Sequence, residues 1–518
     1  MPANNSNQKL KATQKSQAAE ANAKYQCKNP LKPEGDFFST VYIADVRTKT
    51  ERKLLKQIIN NSPQGNNLAS NIIIEVNLKA SSAPGALRRI KQFVTSGQNY
   101  CFVPVRIAWR ASYTREMRGI SFKDLLMGDS EYPNATRQRL NSYRKNSLHE
   151  LLIGIHADSN HLTERFLEIH QQTEAEPEAL ANYILRSAFL ALEKEERIFK
   201  GARYKIPRMV SSEVLESKEF LADLEEIRET SGTDLKTLKK EAEDCLVEMG
   251  ARHSGFAMDA LASLGRFMYT RGFDEKIGMD EADIERIRSL MAERPVAIAF
   301  THKSHIDGFL LLMLMHDHNL TPLHTFGGIN MSFLGLGTLL RNSGAIFIRR
   351  SFKGNQVYKQ VFRHYIDYLG KKRFPLSWAL EGTRSRTGKL MPPRYGLISY
   401  VANAYIKDDN PELLIIPVSI VYDQVPEVAD YDALLQGKQK RAESSLWFAE
   451  YIKKLKRPHG RVHLKFGQGI ELKNYRSDPS AKKASPRDIQ KIAFDLAVDT
   501  NNATPITATS LICYVLLD

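Results

Sequence analysis

The sequence predicts an α/β protein whose C-terminal half is a mainly parallel sheet flanked by helices, preceded by a small α/β region and a helical region. Three observations carry this. Short apolar runs rich in β-branched residues, VAIAF (Val296 to Phe300), GAIFIRR (Gly344 to Arg350) and LLIIPVSIVY (Leu413 to Tyr422), alternate with helical stretches such as DGFLLLMLMHDH and QVYKQVFRHYIDYL. Strands that are apolar throughout belong in sheets covered on both faces. From 166 to 292, Glu, Lys, Ala and Leu recur at helical spacing, as in ALANYILRSAFLALEKEERIF, which predicts several packed helices. Ahead of these, the strand-like NIIIEVNL and YCFVPVRIAW and the helical TERKLLKQII mark the smaller α/β region.

At 518 residues the chain is too long for one ordinary domain. The texture changes divide it into a polar, disordered tail over 1–34, the α/β region over 35–165, the helical region over 166–292, the sheet domain over 293–475 and a C-terminal helical segment over 476–518. RVHLKFGQGI (Arg461 to Ile470) reads as the last strand. The N-terminus lacks the apolar core of a signal peptide, so a cytosolic setting is expected. Cys27, Cys101, Cys245 and Cys513 show no CxxC spacing and suggest neither a disulfide framework nor a zinc knuckle. The longest apolar runs, including FLLLMLM (Phe309 to Met315), fall short of the roughly 18–20 residues that span a bilayer. A membrane role is therefore expected to be peripheral.

The net charge is +15, and residues 341–400 hold 13 Lys and Arg against only Asp367 and Glu381. That segment alone is +11, leaving +4 for the rest. An anionic partner follows: phosphates of a small ligand, nucleic acid, or an acidic lipid surface.

In the run FTHKSHIDGFLLLML, His302 follows a predicted strand and Asp307 opens a predicted helix. The turn between them can bring imidazole and carboxylate together as a general base. A second reading is a helix-capping device, since Ser304 and Asp307 fit S-x-x-D. A third is a metal site using His302, His305 and Asp307, with His316, His318 or His324 completing the shell. That one lacks a recognised ligand spacing.

Active sites in parallel sheets gather at strand C-terminal ends. Arg349 and Arg350 end one strand, with Lys353 in the turn that follows, a set able to hold a phosphate. Glu381 and Gly382 end another, in LEGTRSRTGKLMPP, where Glu381 can orient Arg384, Arg386 and Lys389 while glycine N–H groups face an anion. Pro417 interrupts LLIIPVSIVY, which reads as an edge or bulge device.

Taken in order, HKSHID, GAIFIRR, EGTRSR and IIPVSIVY resemble the four sequence blocks of the glycerol-3-phosphate acyltransferase family, of the long bacterial membrane-associated type. Flanking stretches such as ILRSAFLALEKEERIFKGARYKIPR and TPITATSLICYVLL extend the resemblance over most of residues 35–518. It implies a glycerol-3-phosphate 1-O-acyltransferase, making lysophosphatidate from glycerol 3-phosphate and acyl-CoA or acyl carrier protein, without cofactor or metal. His302 would be the base and Asp307 its orienting partner. Arg349, Arg350, Lys353, Glu381, Gly382, Arg384 and Ser385 would bind the acceptor, and Phe309 to Met315 with Leu413 to Tyr422 would line an acyl groove. The expected location is the cytoplasmic face of the bacterial cell membrane, peripherally bound to the lipid surface. Thr383 stands where the long bacterial members commonly carry glycine, so dihydroxyacetone phosphate and 1-acylglycerol 3-phosphate stay open as acceptors. Outside the family, the rival is a basic nucleic-acid-binding protein, using Phe352, Tyr358, Phe362 and Tyr365 among the cations. Their spacing also fits one amphipathic helix, and no nucleic acid is expected.

Overall fold

The computed structural model describes residues 29–31, 33, 35–60, 71–77, 84–109, 129, 132–142, 149–171, 173–200, 210–274, 276–332, 336–349, 351, 354–407, 412–436, 444–478 and 480–517. Most of the 1–34 tail, together with Cys27, Arg350, Phe352 and Lys353, lies outside the described residues. The chain forms two compact units, Met1–Tyr204 and Lys205–Asp518. Helices expected over 166–292 are divided between them: Pro177–Lys200 belongs to the first, and Val210–Leu215, Lys218–Ser231, Leu235–Met249, Gly255–Gly272 and Glu281–Glu293 to the second.

The first unit holds β1 (Ser39–Asp45), β2 (Asn71–Val76), β3 (Tyr100–Trp109), β4 (His149–Ile153) and β5 (Ala157–Asp158). The order is β2-β1-β3-β4; β1 pairs in parallel with β2 and β3, while β4 and β5 pair antiparallel with β3. At its C-terminal edge the buried Arg106 is held by Asp45, Glu193 and Glu196.

The second unit is built on β6 (Val296–Phe300), β7 (His324–Gly328), β8 (Ala345–Ile348), β9 (Leu376–Ala379), β10 (Leu414–Tyr422), β11 (Val462–Phe466) and β12 (Ile470–Glu471). The order is β11-β10-β6-β9-β7-β8, with β12 also on β10. Strands β6 to β10 are mutually parallel, and β11 and β12 run antiparallel to β10. The expected parallel-rich sheet is thus present, with its last strand split in two.

Alternation along β6 shows why both faces are covered. Ala297 and Ala299 face a core packed by the helices Gln356–Lys371, Tyr395–Lys407 and Pro486–Ala503. Val296, Ile298 and Phe300 face a second core, under Gly255–Gly272, Glu281–Glu293 and Asp307–Asp317. Phe309 to Met315 and Leu413 to Tyr422 are nearly all buried in these two cores. They are core segments and not groove walls, because the first is packed between the sheet and its covering helices and the second is an interior strand covered on both faces. Tyr358, Phe362 and Tyr365 are likewise core residues on one face of their helix, so none offers a ring to a stacked base.

Pro417 sits in an interior strand, opposite Ala299 on β6. Its other side faces the gap between β11 and β12, where Gly467 N–H donates to the Pro417 carbonyl at 2.8 Å. A missing N–H does no harm at such an interruption.

Candidate active site

Because β10, β6 and β9 are neighbours, their C-terminal ends deliver Tyr422, His302 and Glu381 side by side. His302 Nδ1 donates to Asp307 Oδ2 at 2.9 Å. The same oxygen accepts from the Lys303 N–H at 2.7 Å and the Ser304 N–H at 2.8 Å. Tyr422 donates its hydroxyl proton to the other oxygen, Oδ1. Asp307 is fully buried, whereas the His302 side chain is 28% exposed. With Nδ1 donating to a carboxylate, the lone pair of neutral His302 is on Nε2.

The capping reading is half realised. Asp307 accepts from Ser304 N–H, but Ser304 Oγ does not return the bond; it donates to Glu427 Oε1 at 2.9 Å. The helix Asp307–Asp317 has no side-chain N-cap bond. One carboxylate therefore closes the turn and grips the imidazole at once.

Glu381, also fully buried, accepts from His302 N–H at 2.8 Å and Met391 N–H at 3.3 Å. Glu427 Oε1 accepts from His305 N–H at 2.8 Å. Ile306 N–H reaches Ser304 Oγ at 3.4 Å and Asp307 N–H reaches the Ser304 carbonyl at 3.3 Å. Every main-chain N–H from His302 to Asp307 is thus engaged inside the protein.

Burial pushes the Glu381 and Glu427 carboxyls above the ordinary glutamate range, and the amide bonds just described pull them partly back. Burial also lowers the Lys303 ammonium, against the attraction of Asp307 and Glu381.

The loop after β9 folds against this turn. Ser385 N–H donates to the His302 carbonyl at 2.7 Å, and Ser385 Oγ donates to the Lys389 carbonyl at 2.7 Å. Gly382 adopts φ +63°, a conformation that favours glycine, and a Cβ there would lie 2.7 Å from Arg394 Cγ. Its N–H donates to the Ala379 carbonyl at 3.0 Å and so does not face outward. Arg384 is 15% exposed, paired with Glu427 at 3.5 Å, and lies over the Tyr431 ring at 5.3 Å.

Of the predicted acceptor-binding residues, Glu381, Gly382, Arg384 and Ser385 are gathered at His302. Arg384 is the cation among them. Arg349 stands elsewhere: β8 is three strand spacings from β6, about 14 Å along the sheet. Its guanidinium makes a two-pronged pair with Glu248 at 2.7 and 2.6 Å and stacks over Tyr358. The metal reading gains no cluster; among the described residues no group of three His, Cys, Asp or Glu is arranged to hold an ion. His316 bonds Asp259 at 2.7 Å and Asp317 at 3.1 Å.

Sequence reasoning missed Tyr422, Glu427, Tyr431 and Tyr451. The Tyr431 hydroxyl donates to the Lys303 carbonyl at 2.9 Å, and the Tyr451 hydroxyl lies 3.3 Å from Ser304 Oγ. Nothing local marks them, since each meets the turn across more than a hundred residues of chain.

The Acyltransferase family profile matches residues 281–421, which hold the dyad and the β9 loop. That of the glycerol-3-phosphate acyltransferase C-terminal region matches 431–518. The second unit carries an acyltransferase domain followed by the C-terminal region of a glycerol-3-phosphate acyltransferase. Among curated members of related sequence, the protein plsB1 of Mycobacterium tuberculosis, named as an acyltransferase, is 34% identical over 307 residues, covering 59% of this chain and 49% of plsB1. Its Mycobacterium bovis counterpart gives the same figures. The glycerol-3-phosphate acyltransferase of Actinobacillus pleuropneumoniae is 29% identical over 352 residues, covering 66% of this chain and 42% of that protein. The chain spans about half the length, or less, of these relatives.

Proposed function

We propose that this chain is a glycerol-3-phosphate 1-O-acyltransferase that moves an acyl group from acyl-CoA or acyl carrier protein to the sn-1 hydroxyl of glycerol 3-phosphate. The observation that carries the reading is the His302–Asp307 dyad, partly open to solvent, beside the Arg384 loop from the adjacent strand.

His302 Nε2 takes the proton of the sn-1 hydroxyl as its oxygen attacks the thioester carbonyl. Asp307 fixes the tautomer and stabilises the imidazolium, the part a carboxylate plays in a serine-protease triad. Collapse of the tetrahedral intermediate breaks the C–S bond, and the imidazolium returns its proton to the leaving thiolate. No acyl-enzyme forms. Arg384 meets the acceptor phosphate through charge-assisted hydrogen bonds, and the surrounding cations Arg386, Lys389 and Arg394 face the anionic donor or lipid.

A peripheral place on the cytoplasmic face of the cell membrane fits an amphiphilic product. Among the described residues no helix is long and apolar enough to cross a membrane. The helix Ala508–Leu517, sequence ATSLICYVLL, exposes Leu511, Ile512, Val515, Leu516 and Leu517, an apolar surface of the kind that meets lipid.

The test supplies labelled acyl donor with glycerol 3-phosphate, dihydroxyacetone phosphate and 1-acylglycerol 3-phosphate in turn. Lysophosphatidate should form from the first, and His302→Ala should lose on the order of 10² to 10⁴ in kcat. No product from glycerol 3-phosphate, or wild-type turnover by the alanine variant, would overturn the reading.

A further inference from the structure

Glu427 lies between the two segments matched by the family profiles. It is 2% exposed and directly precedes the helix Val428–Leu435. One of its oxygens, Oε1, serves two loops. From the turn after β6 it accepts the His305 N–H at 2.8 Å and the Ser304 hydroxyl at 2.9 Å. From the loop after β9 it meets Arg384 Nη1 at 3.5 Å.

Tyr431, one helical turn later, repeats the pattern. Its hydroxyl holds the Lys303 carbonyl at 2.9 Å, and its ring lies under the Arg384 guanidinium. Two side chains, one just before this helix and one on its first turn, therefore each grip both loops. Such cross-linking sets the distance between a cation and a base more firmly than either loop does alone.

We propose that Glu427 is a positioning residue, assisted by Tyr431, that holds Arg384 at a fixed place relative to His302 so that acceptor phosphate and attacking hydroxyl are seated together. The proposal rests on the acyltransferase reading for what Arg384 binds. Glutamine at 427 keeps the size and can still accept from Ser304 and His305, but it gives up the counter-charge to Arg384. That substitution isolates the clamp on Arg384 from the support of the turn.

Two readouts test it. Glu427→Gln should raise KM for glycerol 3-phosphate about tenfold, with KM for the acyl donor unchanged. The double variant Glu427→Gln/Arg384→Gln should then be no worse than Arg384→Gln alone, because Glu427 acts through Arg384. Independently of turnover, phenylglyoxal should modify Arg384 several-fold faster in Glu427→Gln, read by peptide mass spectrometry. Should that variant fail to fold, Tyr431→Leu removes the ring beneath Arg384 and should speed the same modification. Additive kinetic losses, or an unchanged modification rate at Arg384, overturn the clamp. Absence of wild-type acyl transfer to any acceptor would instead remove the acyltransferase reading, leaving the modification rate to decide the clamp.

Discussion

Tyr422 donates its hydroxyl proton to the Asp307 oxygen that His302 does not use. Both groups are buried, so the bond keeps the carboxylate from turning away from the imidazole. Tyr422→Phe would leave a buried charged oxygen without that donor, at a cost of about 1.5–3 kcal/mol. The expected outcome is a kcat lowered by about tenfold or more with little change in either KM. Unchanged steady-state kinetics would show that the other contacts of Asp307 suffice.

Asp307→Asn separates charge from geometry. Three N–H donors converge on Oδ2, so the asparagine carbonyl must take that place and its NH₂ must face the Tyr422 oxygen. The histidine tautomer then survives and only the negative charge is lost. A fall in kcat of about 10², at the low end for a positioned base, is expected with a nearly unchanged melting temperature. A loss near 10⁴ would point to a reversed tautomer.

Gly344 opens the GAIFIRR block at φ +102°, and a Cβ there would lie 2.4 Å from the Leu323 carbonyl oxygen and 2.5 Å from His253 Nε2. Both the backbone and the space forbid a side chain. Gly344→Ala should cost at least about 1–3 kcal/mol, read as a lower thermal midpoint. An unshifted midpoint would mean that the neighbouring strand moves freely.

His316 links stability to pH. Burial lowers its pKa, but the hydrogen bonds and attraction of Asp259 and Asp317 outweigh that and leave it raised. Arg266, paired with Asp317, shares the cluster. A raised folded value means that the stabilisation is complete below the ordinary histidine value of about 6.5 and is lost as pH rises through the folded value. His316→Gln should therefore melt furthest below wild type near about pH 6, with the gap narrowing toward about pH 9. A constant gap would refute this.

The lipid-facing assignment of Ala508–Leu517 is open to flotation with phosphatidylglycerol vesicles. Wild type should float in part at physiological salt, less so as salt rises. Leu511→Ser with Val515→Ser should reduce the floating fraction several-fold. A wild-type protein that ignores such vesicles would remove the assignment.

How much of this was legible in the sequence follows from where the information lies. Strand β6 and strand β10 announce themselves because continuous β-branched runs have few other uses. Strand β7, HTFGG, carries two glycines and little apolar pattern, so only its neighbours β8 and β9 make it a strand. His302 and Asp307 are legible as a pair because a turn of only four residues separates them. Tyr422 and Glu427 reach that turn from more than a hundred residues away, through a strand order that no local pattern reports. Arg349 misleads for the same reason, since its partner Glu248 lies 101 residues earlier.

The main-chain N–H groups from His302 to Asp307 are all spent within the protein. Any anion drawn to the base, whether a phosphate or an oxyanion formed during acyl transfer, must find its donors on side chains rather than on this stretch of backbone. Side chains are replaced one codon at a time, and backbone amides are not. Acceptor preference in such a site can drift through single substitutions while the turn that carries the base stays as it is.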